Sequence, residues 1–206
     1  RELSLPLRWY SIPNLFRYER AQRGRLREHW QLNADIFGSH NENADVEIIL
    51  LASEILKAFG AKESDFEIKI NDRKLLLAEV NGKIKDPAKL PEALRLLDSK
   101  SKMSTDDYVK EEAILFNAPL HFDAEGNEST KAVLTSLRGL GVHNVVFEPT
   151  IVRGFSYYTG TIFEVFDTNP ENRRSLLGGG RYDNLAGLFG GDPIPAVGFG
   201  FGDVTM

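Results

Sequence analysis

Residues 26–37 alternate strictly between two kinds of side chain, and this pattern constrains the fold more than any other feature of the chain. One set is apolar with a single exception near its start: Leu26, Glu28, Trp30, Leu32, Ala34 and Ile36. The other set is almost wholly polar: Arg27, His29, Gln31, Asn33, Asp35 and Phe37. A period of two is that of a β-strand, whose successive side chains point to opposite faces. The pattern therefore predicts a long strand with one core face and one polar face.

The residues before this strand predict a hairpin rich in arginine. Residues 15–18 are predicted to form its first strand, and residues 19–25, which include Gly24, its turn. Residues 1–30 contain seven Arg, three Glu and no Lys, so they carry +4, whereas the rest of the chain carries 18 − 27 = −9. A guanidinium group matches the geometry of phosphate and carboxylate. We therefore interpret the hairpin as facing an anion, with surface salt bridges as the alternative.

The remaining periodic segments predict a domain that mixes helices and strands. Helices are predicted at residues 44–60, 90–97 and 128–140, and strands at residues 66–70, 145–147, 161–167 and 196–201. Asn71-Asp72 and the three glycines at 178–180 are predicted as turns. Residues 86–107 are largely polar and are predicted to form a mobile insert.

The composition excludes several classes of protein. Of the 206 residues, 42% are hydrophobic, as expected for a domain with a packed core. No apolar run reaches the ~18 residues that cross a bilayer, so no membrane partner is expected. Cys is absent, which excludes disulfides, Cys-ligated zinc and thiol catalysis and agrees with a reducing, cytoplasmic location. No metal-binding residues are predicted, because metal-site spacing is lacking among His29, His40, His121 and His143.

Two further segments combine glycine with arginine and tyrosine. Residues 153–158 read Arg-Gly-Phe-Ser-Tyr-Tyr, and residues 178–183 read Gly-Gly-Gly-Arg-Tyr-Asp. Glycine lets other groups approach the backbone, and tyrosine can fix a polar ligand while its ring lines a pocket. The second segment is neither a P-loop nor a dinucleotide fingerprint. Taken alone, each segment has a plainer interpretation, as a packed Tyr pair and as a flexible turn.

Together these segments resemble the catalytic domain of histidyl-tRNA synthetases, which are class II aminoacyl-tRNA synthetases. The hairpin resembles motif 2, which indicates only the class. Residues 153–158 and 178–183 resemble the two histidine-specific signatures, and residues 196–202 the start of motif 3. The resemblance implies an α+β fold, with a class II antiparallel sheet flanked by helices and a small inserted segment. It divides the chain into catalytic core at 1–64 and 121–206 and an insertion domain at 65–120 that contacts the tRNA acceptor arm.

The resemblance also implies an ATP site on the hairpin. Arg17 matches the arginine that holds the α-phosphate, and Glu19 matches the acid that reads the adenine amino group. Arg25 matches an arginine that reaches the outer phosphates. His29 stands where the family has an aromatic residue stacked on adenine, and an imidazole can also stack. Mg²⁺ is expected on the outer phosphates of ATP.

A histidine site is implied beside it. Gln31 and Asp35 match the pair that receives the α-amino group and helps to orient the substrate. Tyr158 and Tyr182 match residues that line the imidazole pocket, and Tyr157 is assigned to the same site. Arg153 matches the catalytic arginine that bridges the substrate carboxylate and the α-phosphate, and it would act together with Arg17.

The implied reaction forms histidyl-adenylate and pyrophosphate and then transfers histidine to tRNA. Histidine and tRNA are the expected partners, and the full-length protein is expected to be a homodimer. Because motif 1 and the C-terminal anticodon-binding domain are missing and the chain starts without Met, we expect a central piece of a longer protein.

Two departures from the family pattern keep an alternative open. Ser156 replaces an Asp of the first signature, and residues 202–205 replace the Gly-x-Glu-Arg of motif 3, so its phosphate-binding arginine is absent from that place. The alternative is a non-catalytic paralogue that senses histidine, such as the regulatory subunit of ATP phosphoribosyltransferase. A third interpretation, a basic RNA-binding module, does not explain residues 178–183.

Overall fold

A large sheet forms the centre of the protein in the computed structural model, which describes residues 3–18, 20–21, 25–100, 103–152, 157–172 and 174–205. Its strands are β1 Leu7–Ser11, β2 Asn14–Phe16, β3 Glu28–Phe37, β4 Phe66–Asp72, β5 Val145–Phe147, β6 Thr161–Asp167, β7 Ser175–Arg181 and β8 Ala196–Gly202. The helices are α1 Asn43–Ala58, α2 Arg73–Lys83, α3 Leu90–Ser99, α4 Thr105–Leu115, α5 Glu128–Gly139 and α6 Leu185–Leu188. No helix in these described ranges is long and apolar enough to cross a membrane.

The strand order is β1-β3-β8-β7-β6-β4-β5, and β2 pairs with the hairpin end of β3. The named strands pair antiparallel except for β4 and β5, which are parallel. The predicted α+β fold, an antiparallel sheet flanked by helices, is confirmed with this one parallel pair. The main apolar core lies between the sheet and the helices α1 and α5.

The long strand predicted from the alternation is β3, but its apolar face is only partly covered. Ala34 and Ile36 are buried in the main core, and Leu32 packs against it. Trp30 and Leu26 are 54% and 52% exposed, so the prediction of a continuous core face is wrong at the hairpin end. Leu26 lies before β3, which begins at Glu28, and neither Leu26 nor Trp30 belongs to an apolar cluster of the described residues.

Side-chain caps explain where three of the helices begin. Asp72 Oδ1 accepts hydrogen bonds from the backbone N–H of Lys74 (2.7 Å) and Leu75 (3.0 Å) at the start of α2. Ser104 and Asn127 cap α4 and α5 in the same manner. The predicted turn at Asn71-Asp72 is therefore wrong: both residues end strand β4, and the chain passes directly into a helix.

Residues 73–118 contain the helices α2, α3 and α4, which the sequence left largely unassigned apart from 90–97. They pack around a second apolar cluster that includes Leu76, Val80 and Leu97. The stretch predicted as a mobile insert contains all of α3 and the start of α4. β4, at the beginning of the predicted insertion domain, lies in the large sheet, so the helical part of that segment starts at Arg73.

The predicted turn at residues 178–180 is also wrong, because these glycines lie within β7, between β6 and β8. A Cβ on Gly180 would lie 2.5 Å from the carbonyl oxygen of Thr161, and one on Gly179 would lie 2.7 Å from Phe199 Cα. The glycines are required by the close approach of neighbouring strands, not by a change of chain direction.

Candidate functional site

Glycines form an open floor on one face of the sheet. Gly198, Gly200 and Gly202 of β8 stand opposite Asp35, Asn33 and Gln31 of β3, so all six face the same side. A Cβ on Gly200 would lie 2.7 Å from Gln31 Nε2, and one on Gly198 would overlap the Asp35 carboxylate. The missing side chains therefore provide the space in which these polar groups lie.

Tyrosines form a wall beside this floor. The Tyr182 hydroxyl donates a hydrogen bond to Asp35 Oδ1. The ring of Tyr157 lies 4.8 Å from that of Tyr158 and 5.9 Å from that of Tyr182, measured between centroids. Tyr158 and Tyr182 are buried. The structure thus brings together four of the predicted histidine-binding residues, from three separate parts of the chain.

Burial and hydrogen bonding act in opposite directions on Asp35. Burial raises the pKa of the Asp35 carboxyl above its ordinary value, and the hydrogen bond from Tyr182 lowers it. The pKa of Tyr182 is raised, first by burial and then by the adjacent carboxylate, so its hydroxyl keeps its proton and remains a donor. A half-buried carboxylate bonded to a tyrosine hydroxyl can also bind an N–H donor or a cation.

A row of amides and a hydroxyl continues the polar face. Gln31 Nε2 donates to Asn33 Oδ1 over 2.6 Å, and Asn33 Nδ2 donates to Ser11 Oγ over 3.4 Å. The predicted residue Gln31 is therefore held within the row. Asn33 was on the predicted polar face without an assigned role, whereas Ser11 of β1 was missed because only pairing with β3 places it there.

The hairpin places basic side chains at the other end of this face. Leu15 pairs with His29, and the Arg17 N–H donates to the carbonyl of Arg27 over 2.8 Å, so Arg17 continues the His29 row. His29 is 7% exposed. His29 Nδ1 and Arg17 Nε are buried and have no hydrogen-bond partner among the described residues. Such atoms need a polar partner, and a nucleotide could provide it. Arg25 lies half-buried at the loop end of the hairpin.

Glu19 and Arg153 lie outside the described residues, as does Ser156. Their roles therefore stay predictions. The described residues contain no group of three or more His, Asp or Glu side chains that could hold a metal ion.

A buried ion pair below the tyrosines was missed by the sequence reasoning. Arg181 Nη2 lies 2.6 Å from Asp45 Oδ2, and both side chains are almost fully buried. The one local signal was an acidic residue among the apolar positions of α1. The partner of that acid lies 136 positions away, so only the tertiary structure reveals the pair.

The chain matches the family model described as histidyl-tRNA synthetase over residues 2–117 and 78–202. The chain belongs to the histidyl-tRNA synthetase family. A histidine–tRNA ligase of Leptospira biflexa is 42% identical over 229 aligned residues, which cover 100% of this chain and 52% of that protein. The chain thus spans about half the length of the curated relatives it matches.

Solved structures agree with this assignment of the fold. The histidyl-tRNA synthetase of Nostoc sp. PCC 7120 superimposes with a TM-score of 0.71 at 22% identity, over 97% of this chain and 53% of that chain. A Bacillus halodurans protein, described as an ATP phosphoribosyltransferase regulatory subunit/histidyl-tRNA synthetase, gives a TM-score of 0.70 at 25% identity, over 97% and 57%. The family resemblance inferred from the motifs is confirmed.

Proposed function

We propose that this chain is the catalytic part of a histidine–tRNA ligase, which activates histidine with ATP and transfers it to tRNA. The observation that carries the proposal is the Tyr182–Asp35 hydrogen bond, made beside Tyr157 and Tyr158 over the glycine floor. It provides a polar, aromatic-walled pocket on the same sheet face as the arginine hairpin. Membership of the histidyl-tRNA synthetase family supports this interpretation.

In the activation step, a carboxylate oxygen of histidine attacks the α-phosphorus of ATP and the bond to pyrophosphate breaks. The protein contributes by orienting the two substrates and by stabilising the charge on the pentavalent phosphate. Arg17 would act on this charge from the hairpin side and Arg153 from the side of the histidine carboxylate. A guanidinium group provides this charge without any proton transfer.

Mg²⁺ fits this site as an ion carried on the outer phosphates of ATP. The described residues offer no cluster of metal-binding side chains, whereas phosphate oxygens and water are the ligands that Mg²⁺ prefers. When bound, the ion would neutralise the departing pyrophosphate. Arg25 would add a second positive charge near the same phosphates.

The pocket also accounts for selection of histidine. An imidazole offers two ring nitrogens, and a buried site built to pair them leaves its own polar groups unpaired with an analogue that lacks them. Discrimination of roughly 10⁴-fold is available from this effect without editing. The Tyr182 hydroxyl is a described polar group that lines the imidazole pocket, whereas Asp35, with Gln31, would receive the α-amino group and help to orient the substrate.

The decisive experiment is histidine-dependent exchange of pyrophosphate into ATP by the full-length protein. Exchange is expected with the parent and should be lost in Arg153→Ala, because the charge between carboxylate and α-phosphate disappears. Arg95→Ala, at an exposed position of α3, is the matched control and should retain exchange. Thermal melting of each variant shows whether the fold is intact.

A histidine-sensing paralogue is the second candidate. It is favoured by the similarity to the Bacillus halodurans protein, whose description includes a regulatory subunit, and by the altered residues 202–205. The arginine hairpin argues against a histidine sensor, because a sensor needs no positive charge at the α-phosphate of ATP. Binding of histidine in calorimetry, without exchange by the parent, would contradict the ligase and support the sensor.

The remaining assignments are proposals of the same kind. We propose that the segment 65–120, whose helices α2 to α4 form a separate apolar cluster, contacts the acceptor arm of tRNA. We also propose that the full-length protein is a cytoplasmic homodimer, as the family resemblance implies.

A further inference from the structure

Arg181 at the end of β7 donates all five of its N–H hydrogens, although it is only 8% exposed. Nε lies 3.1 Å from Asp45 Oδ1, and Nη2 lies 2.6 Å from Asp45 Oδ2 and 3.3 Å from the Asn41 carbonyl oxygen. Nη1 donates to the Ser39 carbonyl oxygen over 2.8 Å and to Asp183 Oδ1 over 3.2 Å. The guanidinium is therefore held in one orientation.

Two of the connected segments lead directly to pocket residues. Ser39 and Asn41 lie in the loop between β3, which carries Asp35, and α1, whose first turn contains Asp45. Tyr182 follows Arg181 in the chain, and its backbone N–H donates to the Ala196 carbonyl over 2.7 Å.

The third segment is the one that follows Tyr157 and Tyr158. The Thr159 N–H donates to the Arg181 carbonyl over 2.8 Å, and Thr159 Oγ1 donates to Asp183 Oδ2 over 3.0 Å. A Cβ on Gly160 would lie 3.1 Å from Arg181 Cδ, so glycine leaves room for the arginine stem. The Arg181 side chain thus binds the loop after β3 and the first turn of α1, and the segment after Tyr158 is joined to it through the Arg181 carbonyl and through Asp183.

Net stability alone is a weak reason for this arrangement. Asp45 is fully buried, and its pKa is raised because the loss of hydration outweighs the attraction of Arg181. Burying a charged pair often contributes no more stability than apolar side chains of the same volume would. The directed fork of the guanidinium provides something that apolar packing lacks, which is a fixed angle between the segments.

We propose that Arg181 is a positioning residue for histidine selection, which places the Tyr182 hydroxyl on Asp35 by fixing the end of β7 and the loop after β3 to Asp45. The inference rests on the proposed function and adds a residue to its specificity. The ATP side of the site is expected to change little, because none of the hydrogen bonds of Arg181 goes to a described residue of the hairpin.

The test compares two variants of the full-length protein with the parent. Arg181→Lys keeps the charge but loses the fork. The double variant Arg181→Met with Asp45→Leu removes both charges together, so no unpaired charge is left in the core. In both, the KM for histidine in pyrophosphate exchange is expected to rise about tenfold, with the KM for ATP changed less than about twofold. Histidine calorimetry should show the same loss of affinity.

A matched control is the pair Lys83 and Glu79 in α2, which is partly buried away from the pocket. Lys83→Met with Glu79→Leu should leave the histidine KM unchanged. An unchanged histidine KM in the double variant at Arg181 and Asp45, or an equal rise for histidine and ATP, would overturn the inference. A parent that binds histidine without catalysing exchange would instead refute the proposed function, and calorimetry of the variants would still decide the role of Arg181.

Discussion

A single hydrogen bond, from Tyr182 to Asp35, joins two groups of the pocket whose pKa values are both raised by burial. Burial works against the charged form of Asp35, whereas the phenol works in its favour. The donor that favours the ionised carboxylate in the described pocket is Tyr182, the residue that follows β7. Removal of that donor should weaken the binding of histidine and change the pH dependence of binding.

We expect Tyr182→Phe to raise the KM for histidine about tenfold, because a hydrogen bond to a charged group is lost in a half-buried site. The phenol lowers the Asp35 pKa, so its loss raises that pKa further. If the ionised carboxylate is the binding form, affinity falls as the pH decreases through the pKa, and in the variant this fall begins at a higher pH. Calorimetry with histidine over about pH 5 to 8 measures the shift.

The titration of the substrate itself is common to parent and variant, so the difference between the two profiles reports on Asp35. Tyr10→Phe, which removes an exposed hydroxyl from β1, is the control and should match the parent. Superimposable profiles for Tyr182→Phe and the parent would show that Asp35 does not bind histidine as a carboxylate.

Residues of this pocket differed in how far the sequence could predict them. The shared face of Gln31 and Asp35 could be predicted because period two is a local pattern that a strand converts directly into a face, whereas their role in binding histidine came from the motif resemblance. Arg181 and Asp45 were not found, because each is an ordinary charged residue in its own segment and they meet across 136 positions. The roles of Tyr157, Tyr158 and Tyr182 were predicted from the motif resemblance, because no local periodicity indicates them.

At the level of elements, the local sequence does not predict the role of the glycines in β7 and β8. Three successive glycines are typical of a turn, and nothing in residues 178–180 indicates the neighbouring strands that require them. Gly198 has a comparable constraint: a Cβ there would lie 2.7 Å from the Ala34 carbonyl and would overlap the Asp35 carboxylate. Sheet register thus decides what these glycines do, and register is set by distant chain segments.

Gly198→Ala is expected to lower the free energy of unfolding by about 1–3 kcal/mol, because backbone and a pocket side chain must move to accept one methyl group. Gly82→Ala provides the control within the same protein. Gly82 lies in α2 without a positive φ, and no atom lies within 4 Å of the place that its Cβ would take, so alanine should stabilise by about 0.5–1 kcal/mol. Urea unfolding of both variants measures the sign of each change in the free energy of unfolding. An unchanged free energy for Gly198→Ala would mean that β3 and β8 are farther apart than the structure shows.

On the scale of the whole molecule, the protein contains two principal apolar clusters. The main core joins the sheet to α1 and α5, and the second joins α2, α3 and α4. Val152 belongs to the second cluster, although it directly precedes Arg153 of the first signature. The sequence indicated the main core through periodic helices and strands, but it missed most of the second because polar residues separate its short apolar groups.

The two apolar clusters are expected to unfold locally and independently of each other. Leu76 is fully buried in the second cluster, and Leu76→Ala should cost about 2–5 kcal/mol of local stability there. Hydrogen exchange should accelerate in α2, α3 and α4 while β7 and β8 stay protected, because opening of a cooperative unit need not involve the remainder. Leu56→Ala makes the same change in the main core and should accelerate exchange in the sheet. If Leu76→Ala exposed β7 and β8 as strongly as the helices, the helical segment and the sheet would form one cooperative unit. Loosening of α2 to α4 would then disturb the pocket beside Tyr182 directly.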